Sequence, residues 1–379
     1  MDKIGIIAEF NPFHNGHCYF LKKVKEKFPD SFIILVLSTC FTERGEFSFL
    51  TKWEKTKLSL AFGIDLVIEL PFFFGTQSAD IFSTSAITLL ENLDIDYLIF
   101  GSETNDVDVL KNLASTILYH KDYNKLVKEY LSLGNSYPSS NAKALYNLTG
   151  VNLINSNDIL GVTYIKTILE NNYHIKPISI KRTNSYLAKN TTGSISSATS
   201  IRELYLKDID IKNFIPTKTY NILNFPKNYQ ETFFTILKYK LISEINTLDI
   251  YLDVSEGIEK KIKKVILKVN SYQELIENLK SKRWTYNKLN RMFLHILMNI
   301  KKDDDYNLNY IRVLGFNTKG KNYLKVIKSK TKMPIITNYK DIDDPLLKLE
   351  LKTTILYLTI INKPYLIKEE LKSIPIRVD

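Results

Sequence analysis

Ile4-Gly5-Ile6-Ile7-Ala8-Glu9-Phe10-Asn11-Pro12-Phe13-His14-Asn15-Gly16-His17-Cys18-Tyr19-Phe20 is the stretch on which the reading of this chain turns. The apolar run Ile4 to Ala8 reads as a strand buried on both faces, the kind found in parallel sheets. Asn11 and Pro12 stop it, because proline lacks the N–H a ladder needs and fixes its own φ. Phe20, Leu21, Val24 and Phe28 then recur at helical spacing among lysines, so a helix is expected from near His17. Between strand and helix lies His14-Asn15-Gly16-His17. Gly16 lets backbone come close to a ligand, and the helix start offers unpaired N–H groups and a positive dipole end to an anion. With two imidazoles as further donors, the turn reads as a phosphate site.

Outward from that turn the pattern repeats. Phe32 to Leu37 reads as a second buried strand, and strand, helix, strand is a βαβ unit with its ligand edge at the carboxyl ends of the strands. Arg44, in the loop after that strand, is either a fork for phosphate or carboxylate or a surface arginine paired with Glu43 or Glu46. Lys52 to Phe62 is expected to be a helix ended by Gly63, Asp65 to Leu70 a strand closed by Pro71, and Gln77 to Leu90 another helix. Asp96 to Phe100 makes a fourth strand. It runs into Gly101, where a nucleotide can lie against backbone or the chain simply turns.

Residues 106–150 read as a helical insertion. Asn157 or Asp158 caps the helix that follows, and His174 to Ile180 is a fifth strand leading to Lys181 and Arg182. After a polar loop over residues 183–193, Ser197 caps a helix that carries Arg202 one turn in. Basic residues at a strand end beside a hydroxyl-rich helix start make a second anion site or an ordinary capped helix. From about Leu206 the chain becomes mainly helical and basic. Lys282, Arg283 and Arg291 cluster with Trp284 and Tyr323 available for stacking, which describes either a nucleic-acid surface or a solvated helix face. His295 in that region reads as a packed histidine.

The 379 residues suffice for two cores, and 52 Lys+Arg against 41 Asp+Glu give +11, which suits a polyanionic partner. Two cysteines exclude a disulfide framework and a cysteine metal site, and point to a reducing cytoplasm. Asp65 and Glu69 interrupt the most apolar segment, so no membrane span is expected, and no signal sequence is evident. No Ser-His-Asp set or carboxylate pair argues for hydrolysis.

His14 and His17 stand where the nucleotidyltransferase superfamily carries its His-x-Gly-His signature. Ser197-Ala198-Thr199-Ser200-Ile201-Arg202 is similar to its Ser-Ser-Thr-x-Ile-Arg signature, with alanine for one serine. Residues 5–17, Phe41 to Lys57, Asp65 to Pro71, Gln77 to Asp80, Phe100 to Glu103, Asn157 to Gly161, Lys282 to Thr285 and Ile311 to Asn317 together resemble the tRNA(Met) cytidine acetate ligases. Thr39-Cys40 and Glu43 depart from the pattern usual in the second loop.

The resemblance implies an α/β fold: a Rossmann-like parallel-sheet nucleotidyltransferase domain over residues 1–205, then a mainly helical, basic, tRNA-binding domain over 206–379. It implies ATP-dependent activation of acetate as acetyl-adenylate and acetylation of the wobble cytidine of elongator tRNA(Met). ATP enters as substrate with Mg2+ carried on its phosphates, and neither a membrane nor an obligate protein partner is implied. His14, His17 and Arg202 match the catalytic positions. Ile7, Ala8, Glu9, Phe10, Asn11, Pro12, Phe13, His14, Asn15, Gly16, His17, Cys18, Tyr19 and Phe20, with Gly101, Asn157 and Arg182, match the ATP contacts, and Ser197 and Thr199 of the second anion site are further ATP-binding candidates. Arg44 and Gln77 are the acetate candidates; Lys282, Arg283 and Arg291 are the tRNA candidates. The competing readings are a small-molecule adenylyltransferase with a phosphate acceptor and a non-enzymatic RNA-binding protein on the same fold.

Overall fold

The computed structural model describes residues 1–182 and 195–379, so the polar loop expected over 183–193 lies outside the described residues. The five expected strands are β1 (Lys3–Ala8), β2 (Phe32–Ser38), β3 (Leu66–Leu70), β4 (Tyr97–Ser102) and β5 (Lys176–Lys181). They pair in parallel in the order β5-β4-β1-β2-β3. The order reverses between β1 and β4, and a crevice opens at the carboxyl ends of strands at such a switch point. Successive β2 residues face opposite ways. Phe32, Ile34 and Val36 join one apolar cluster with Leu98 and Phe100, while Ile33, Leu35 and Leu37 join another with Ile4 and Ile6. A strand buried on both faces therefore reads as a continuous apolar run.

The helices of this half are α1 (Asn15–Lys27), α2 (Lys52–Ala61), α3 (Phe72–Gly75), α4 (Ala79–Asn92), α5 (Val107–Tyr119), α6 (Tyr123–Ser132), α7 (Tyr137–Thr149), α8 (Ser156–Glu170) and α9 (Ala198–Leu206). The insertion over 106–150 is thus helical, as α5, α6 and α7. The short α3 had no sequence signal, and it moves Gln77 from the end of β3 to the turn between α3 and α4. The helix expected to be capped by Asn157 or Asp158 starts earlier, after Asn155, which frees both side chains for other work.

The later chain adds α10 (Thr217–Ile222), α11 (Tyr229–Ser243), α12 (Ile258–Val265), α13 (Tyr272–Leu279), α14 (Tyr286–Met298), α15 (Thr318–Ile327), α16 (Pro345–Ile360) and α17 (Ile367–Lys372). It also returns to the sheet. The strand β6 (Ile311–Phe316) pairs antiparallel with β3, and β7 (Ile335–Ile336) and β8 (Ile376–Arg377) pair with β6. The described residues so form an eight-stranded sheet that crosses the sequence division at 205/206. Trp284 is buried, and the half-buried Tyr323 packs its ring 4.6 Å from that of Phe32 while its hydroxyl donates to Leu93 O, so both rings are engaged within the fold. His295 is packed as expected, between Asp253 and Thr76. No helix among the described residues is long and apolar enough to cross a membrane.

A buried ionic cluster joins the two halves. Lys52 Nζ lies 2.7 Å from Glu69, 3.2 Å from Glu350 and 3.3 Å from Glu370, while Arg312 Nη1 lies 2.9 Å from Glu69 and Nη2 3.6 Å from Glu370. Tyr339 and Trp53 donate to Glu370, and Thr39 Oγ1 and Phe72 N donate to Glu350. Two cations face three carboxylates. Burial, then Glu69, pushes the Glu350 carboxyl up, whereas Lys52 and Arg312 hold the Glu69 and Glu370 carboxyls down.

Candidate active site

Helix α1 begins at Asn15 with His14 as its N-cap, earlier than the start expected near His17, and the local hydrogen bonding fixes the chemistry of both histidines. Gly16 N–H donates to His14 Nδ1 at 3.0 Å, and His14 N–H donates to His17 Nδ1 at 3.1 Å. An imidazole nitrogen that accepts a backbone N–H carries no proton, so in each ring the proton sits on Nε2. The rings stack with centroids 3.7 Å apart. Burial, followed by the charges of Arg182 and Arg202, lowers His14 to about 3; burial, then His14 and Arg182, holds His17 well below 6.5. The site therefore presents two neutral rings, each with an Nε2–H donor that has no partner among the described residues.

The absence of a side chain at Gly16 is what permits this stack, since a Cβ there would lie 2.8 Å from His14 Cε1 and 2.9 Å from Nδ1. One expectation is corrected. The amides at the start of α1 are not open to an anion: Asn15 N–H goes to Phe214 O, Gly16 N–H to His14 Nδ1 and His17 N–H to His14 O. The donors left at this turn are the two imidazole Nε2–H groups, with the Arg182 and Arg202 guanidinium charges reaching them.

Arg202 comes from α9, which Ser197 caps by accepting from Ser200 N–H. Its guanidinium donates to Asn11 O at 2.8 Å, to Glu46 at 2.6 Å and to Thr199 Oγ1 at 3.4 Å. Arg202 thereby ties the two histidine- and serine-bearing signatures to the loop after β2. Asn11 completes the tie, its amide donating to Phe47 O and accepting from Phe49 N–H. These bonds hold Phe10 at a φ of 48°, a left-handed conformation costly for a bulky residue.

Arg182 directly follows β5 and packs across Gly101, where a Cβ would sit 3.4 Å from Arg182 Cγ. Asn157 donates to Glu103 at 2.5 Å. Its neighbour Asp158 accepts from Ser102 Oγ, Glu103 N–H, Thr104 N–H and Thr104 Oγ1, fixing the loop after β4. Gly161 lets α8 close on that strand, since a Cβ there would meet the Phe100 ring at 2.6 Å.

Lys55 carries no sequence signature of its own, yet it lies at this site. Its buried ammonium donates to Glu9 O, Ser38 O and Thr39 O at 3.0, 2.5 and 2.6 Å, locking the ends of β1 and β2 together; burial lowers it to about 7. The available signal was a lysine falling with Lys52, Thr56 and Ser59 on one helical face. Glu9 accepts from Glu43 N–H, and its carboxyl is raised to about 7 by burial, with Glu43 and Glu46 adding to the effect.

The acetate candidates separate. Arg44 is half-buried in the loop after β2, where its charge reaches Glu9 and Glu43, whereas Gln77 is buried beside Thr76. The tRNA candidates separate too. Lys282 and Arg283 are exposed before α14, but Arg291 is turned onto Glu43 at 2.8 Å. Asn290 donates to Arg44 O, and Gly45, at a φ of +71°, leaves room for Arg291 N only 2.8 Å from where a Cβ would stand. The loop after β2 is thus gripped by Arg202 on one side and α14 on the other. Cys18, Tyr19 and Phe20 continue into α1; Cys18 lines an open hollow of about 440 Å³ with Lys22, Lys25 and Phe62.

Residues 1–372 match the HIGH nucleotidyl transferase family. Proteins named tRNA(Met) cytidine acetate ligase are similar along the whole length. That of Anoxybacillus flavithermus is 34% identical, covering 100% of both chains. That of Clostridium perfringens is 37% identical over 97% of this chain and 98% of its own. Mycoplasma mobile has one 39% identical over 79% of this chain and 99% of its own. Crystal structures of Thermotoga maritima TmcAL, 29% identical and covering 100% of both chains, superpose with a TM-score of 0.90 for the apo form and 0.86 for the form bound with alpha-thio ATP.

Proposed function

Because the chain belongs to the HIGH nucleotidyl transferases and, within them, to the tRNA(Met) cytidine acetate ligases, we propose that it activates acetate with ATP and acetylates a cytidine of tRNA(Met). The observation that carries this reading is the pair of neutral, stacked imidazoles whose Nδ1 atoms are both occupied. Each ring is left with one fixed donor, Nε2–H, for a phosphate oxygen. Arg182 and Arg202 add the full charges that neutral rings lack.

In the first step the acetate carboxylate attacks the α-phosphorus of ATP in line, and pyrophosphate leaves. Preorganised donors stabilise the charge that develops there without reorganising. In the second, the exocyclic amine of cytidine attacks the acetyl carbonyl, the carbonyl–phosphate C–O bond breaks and AMP departs. Lys55 and Asp158 hold the strand ends from which these groups project. Arg44, beside Glu9, is the better placed acetate donor, and Lys282 and Arg283 are the exposed cations for tRNA phosphates. We assign magnesium to the phosphates of the incoming nucleotide, since the ion keeps several waters and is commonly held by substrate phosphates. A cytoplasmic location suits a tRNA substrate.

The test is mass analysis of nucleosides from elongator tRNA(Met) after incubation with the protein, ATP, magnesium and labelled acetate. Acetylcytidine that depends on both ATP and acetate is the expected product. Pyrophosphate release only with a phosphorylated small acceptor would instead make this a small-molecule adenylyltransferase.

A further inference from the structure

Transfer of an acetyl group to a cytidine amine releases a proton, and most groups at this site cannot take it. His14 and His17 carry their protons on Nε2 and spend both Nδ1 atoms on backbone N–H groups, so neither ring keeps a free lone pair. Lys55 spends its ammonium hydrogens on the carbonyls of Glu9, Ser38 and Thr39. Glu43 is held by Arg291 at 2.8 Å and Glu46 by Arg202 at 2.6 Å, and such pairing opposes protonation of a carboxylate. Asp158 is filled by Ser102, Glu103 N–H and Thr104, and Glu103 is shared between Asn157 and Arg182.

Glu9 remains. It follows Ala8, the last residue of β1, on the loop that leads to His14, and so stands at the carboxyl edge of the sheet. Lys55 holds its carbonyl, and Glu43 N–H donates to its Oε1 at 2.6 Å. Its Oε2 takes no hydrogen bond and meets no cation at ion-pair distance among the described residues. The half-buried side chain faces Glu43, Arg44 and Glu46 from the loop after β2, Lys55 from α2 and Tyr164 from α8. Burial above all, with Glu43 and Glu46 adding and the Glu43 N–H and Arg44 opposing, places its carboxyl at about 7. A base poised near the working pH both takes a proton and gives it up. Position ties it to the reacting atoms as well. The charge of Arg44, assigned above to acetate, reaches Glu9, and the imidazole donors assigned to the phosphates follow on the same loop. The acetyl carbonyl, which joins the one group to the other, belongs between them.

We propose that Glu9 is the base of acetyl transfer: its Oε2 takes a proton from the exocyclic nitrogen of cytidine as that nitrogen bonds to the acetyl carbon. The attack opens the carbonyl to an oxyanion, the oxyanion collapses, and the C–O bond to phosphate breaks. AMP leaves with that electron pair, and protonated Glu9 returns its proton to water. This rests on the ligase reading above.

The test separates the two half-reactions. Activation is read as ATP–pyrophosphate exchange, and transfer as single-turnover acetylation of elongator tRNA(Met) from synthetic acetyl-adenylate, each between about pH 5 and 9. Wild-type transfer is expected to rise about ten-fold per pH unit below about 7 and to level off above it. Glu9→Gln, which keeps an oxygen for the Glu43 N–H, should lose about a hundred-fold or more in transfer relative to the exchange it retains, and should lose the rise. Glu9→Asp, a base with a shorter reach, should keep the rise at a lower plateau. A Glu9→Gln variant that retains the rise overturns the inference, as does one in which transfer and exchange fall together. Should that variant not fold, the wild-type profile decides, and transfer that does not change with pH overturns the proposal while sparing the ligase reading. A wild type with no transfer from acetyl-adenylate to tRNA overturns both.

Discussion

Replacing Glu370 with glutamine keeps its volume and removes one charge from the buried cluster between the sheet and the C-terminal helices. Burial pushes this carboxyl up, but Lys52, then Arg312, with hydrogen bonds from Tyr339 and Trp53, pull it down from 4.5 to about 2. That difference between folded and unfolded states corresponds to about 3 kcal/mol. A depressed carboxyl contributes fully above pH 4.5, where it is ionised in both states, and its contribution disappears as pH falls from 4.5 through about 2. Urea unfolding of the wild type and Glu370→Gln at several pH values should therefore give a gap of about 3 kcal/mol at pH 7 that shrinks in acid. Loss of one partner from a buried pair usually costs about 3–5 kcal/mol, in line with that figure. A gap below about 1 kcal/mol at pH 7, as for a solvent-exposed pair, or one that does not change with pH, would refute the reasoning.

His17→Ala should lower acetyl-adenylate formation by about two to three orders of magnitude with the fold intact; a folded variant with near-normal turnover contradicts the phosphate assignment. Burial lowers His14 to about 3 and holds His17 well below 6.5. The pH–rate profile should accordingly contain no limb between pH 5 and 8 that His14→Asn removes, as ATP–pyrophosphate exchange can check. Gly16→Ala puts a methyl group against the His14 ring and should cost about 1–3 kcal/mol of stability along with most of the ATP affinity; an unperturbed unfolding midpoint would count against the stacking geometry. Charge reversal at Lys282 and Arg283 should weaken tRNA binding and flatten its salt dependence while sparing ATP. Arg291→Glu should instead reduce thermal stability by breaking the Glu43 contact.

The strands were legible because β1, β2 and β3 are largely buried on both faces and read as mainly apolar runs; the exception, Glu69 in β3, is held by Lys52 and Arg312. The two anion signatures were legible as residues, and Ser197 as a cap, since capping is a local interaction. What escaped was non-local. Nothing near Asp158 says that it will clamp the loop after β4, about fifty residues away. Nothing near Arg291 says that Glu43 will claim it, so a cluster counted along the sequence came apart in space. The amides of α1 were expected to be free because the sequence does not reveal that Phe214 O takes one of them. Strand β6 was missed for a related reason: Ile311 to Phe316 includes Arg312, whose charge makes sense only opposite Glu69.

The ionic cluster bears on how this protein is made. Trp53 and Glu370, which share a hydrogen bond, are 317 residues apart. At translation rates of about 5–20 residues per second, Lys52 and Glu69 leave the ribosome roughly 15 to 60 s before their last carboxylate partner. Strand β1 and helix α1, which carries the histidines at its start, are synthesised first, yet the sheet edge beside β3 stays uncovered until β6 arrives, and such an edge is prone to pairing with other chains. The nascent sheet is thus most exposed to aggregation in that interval, and lengthening it by slow codons beyond residue 300 should lower the yield of native protein.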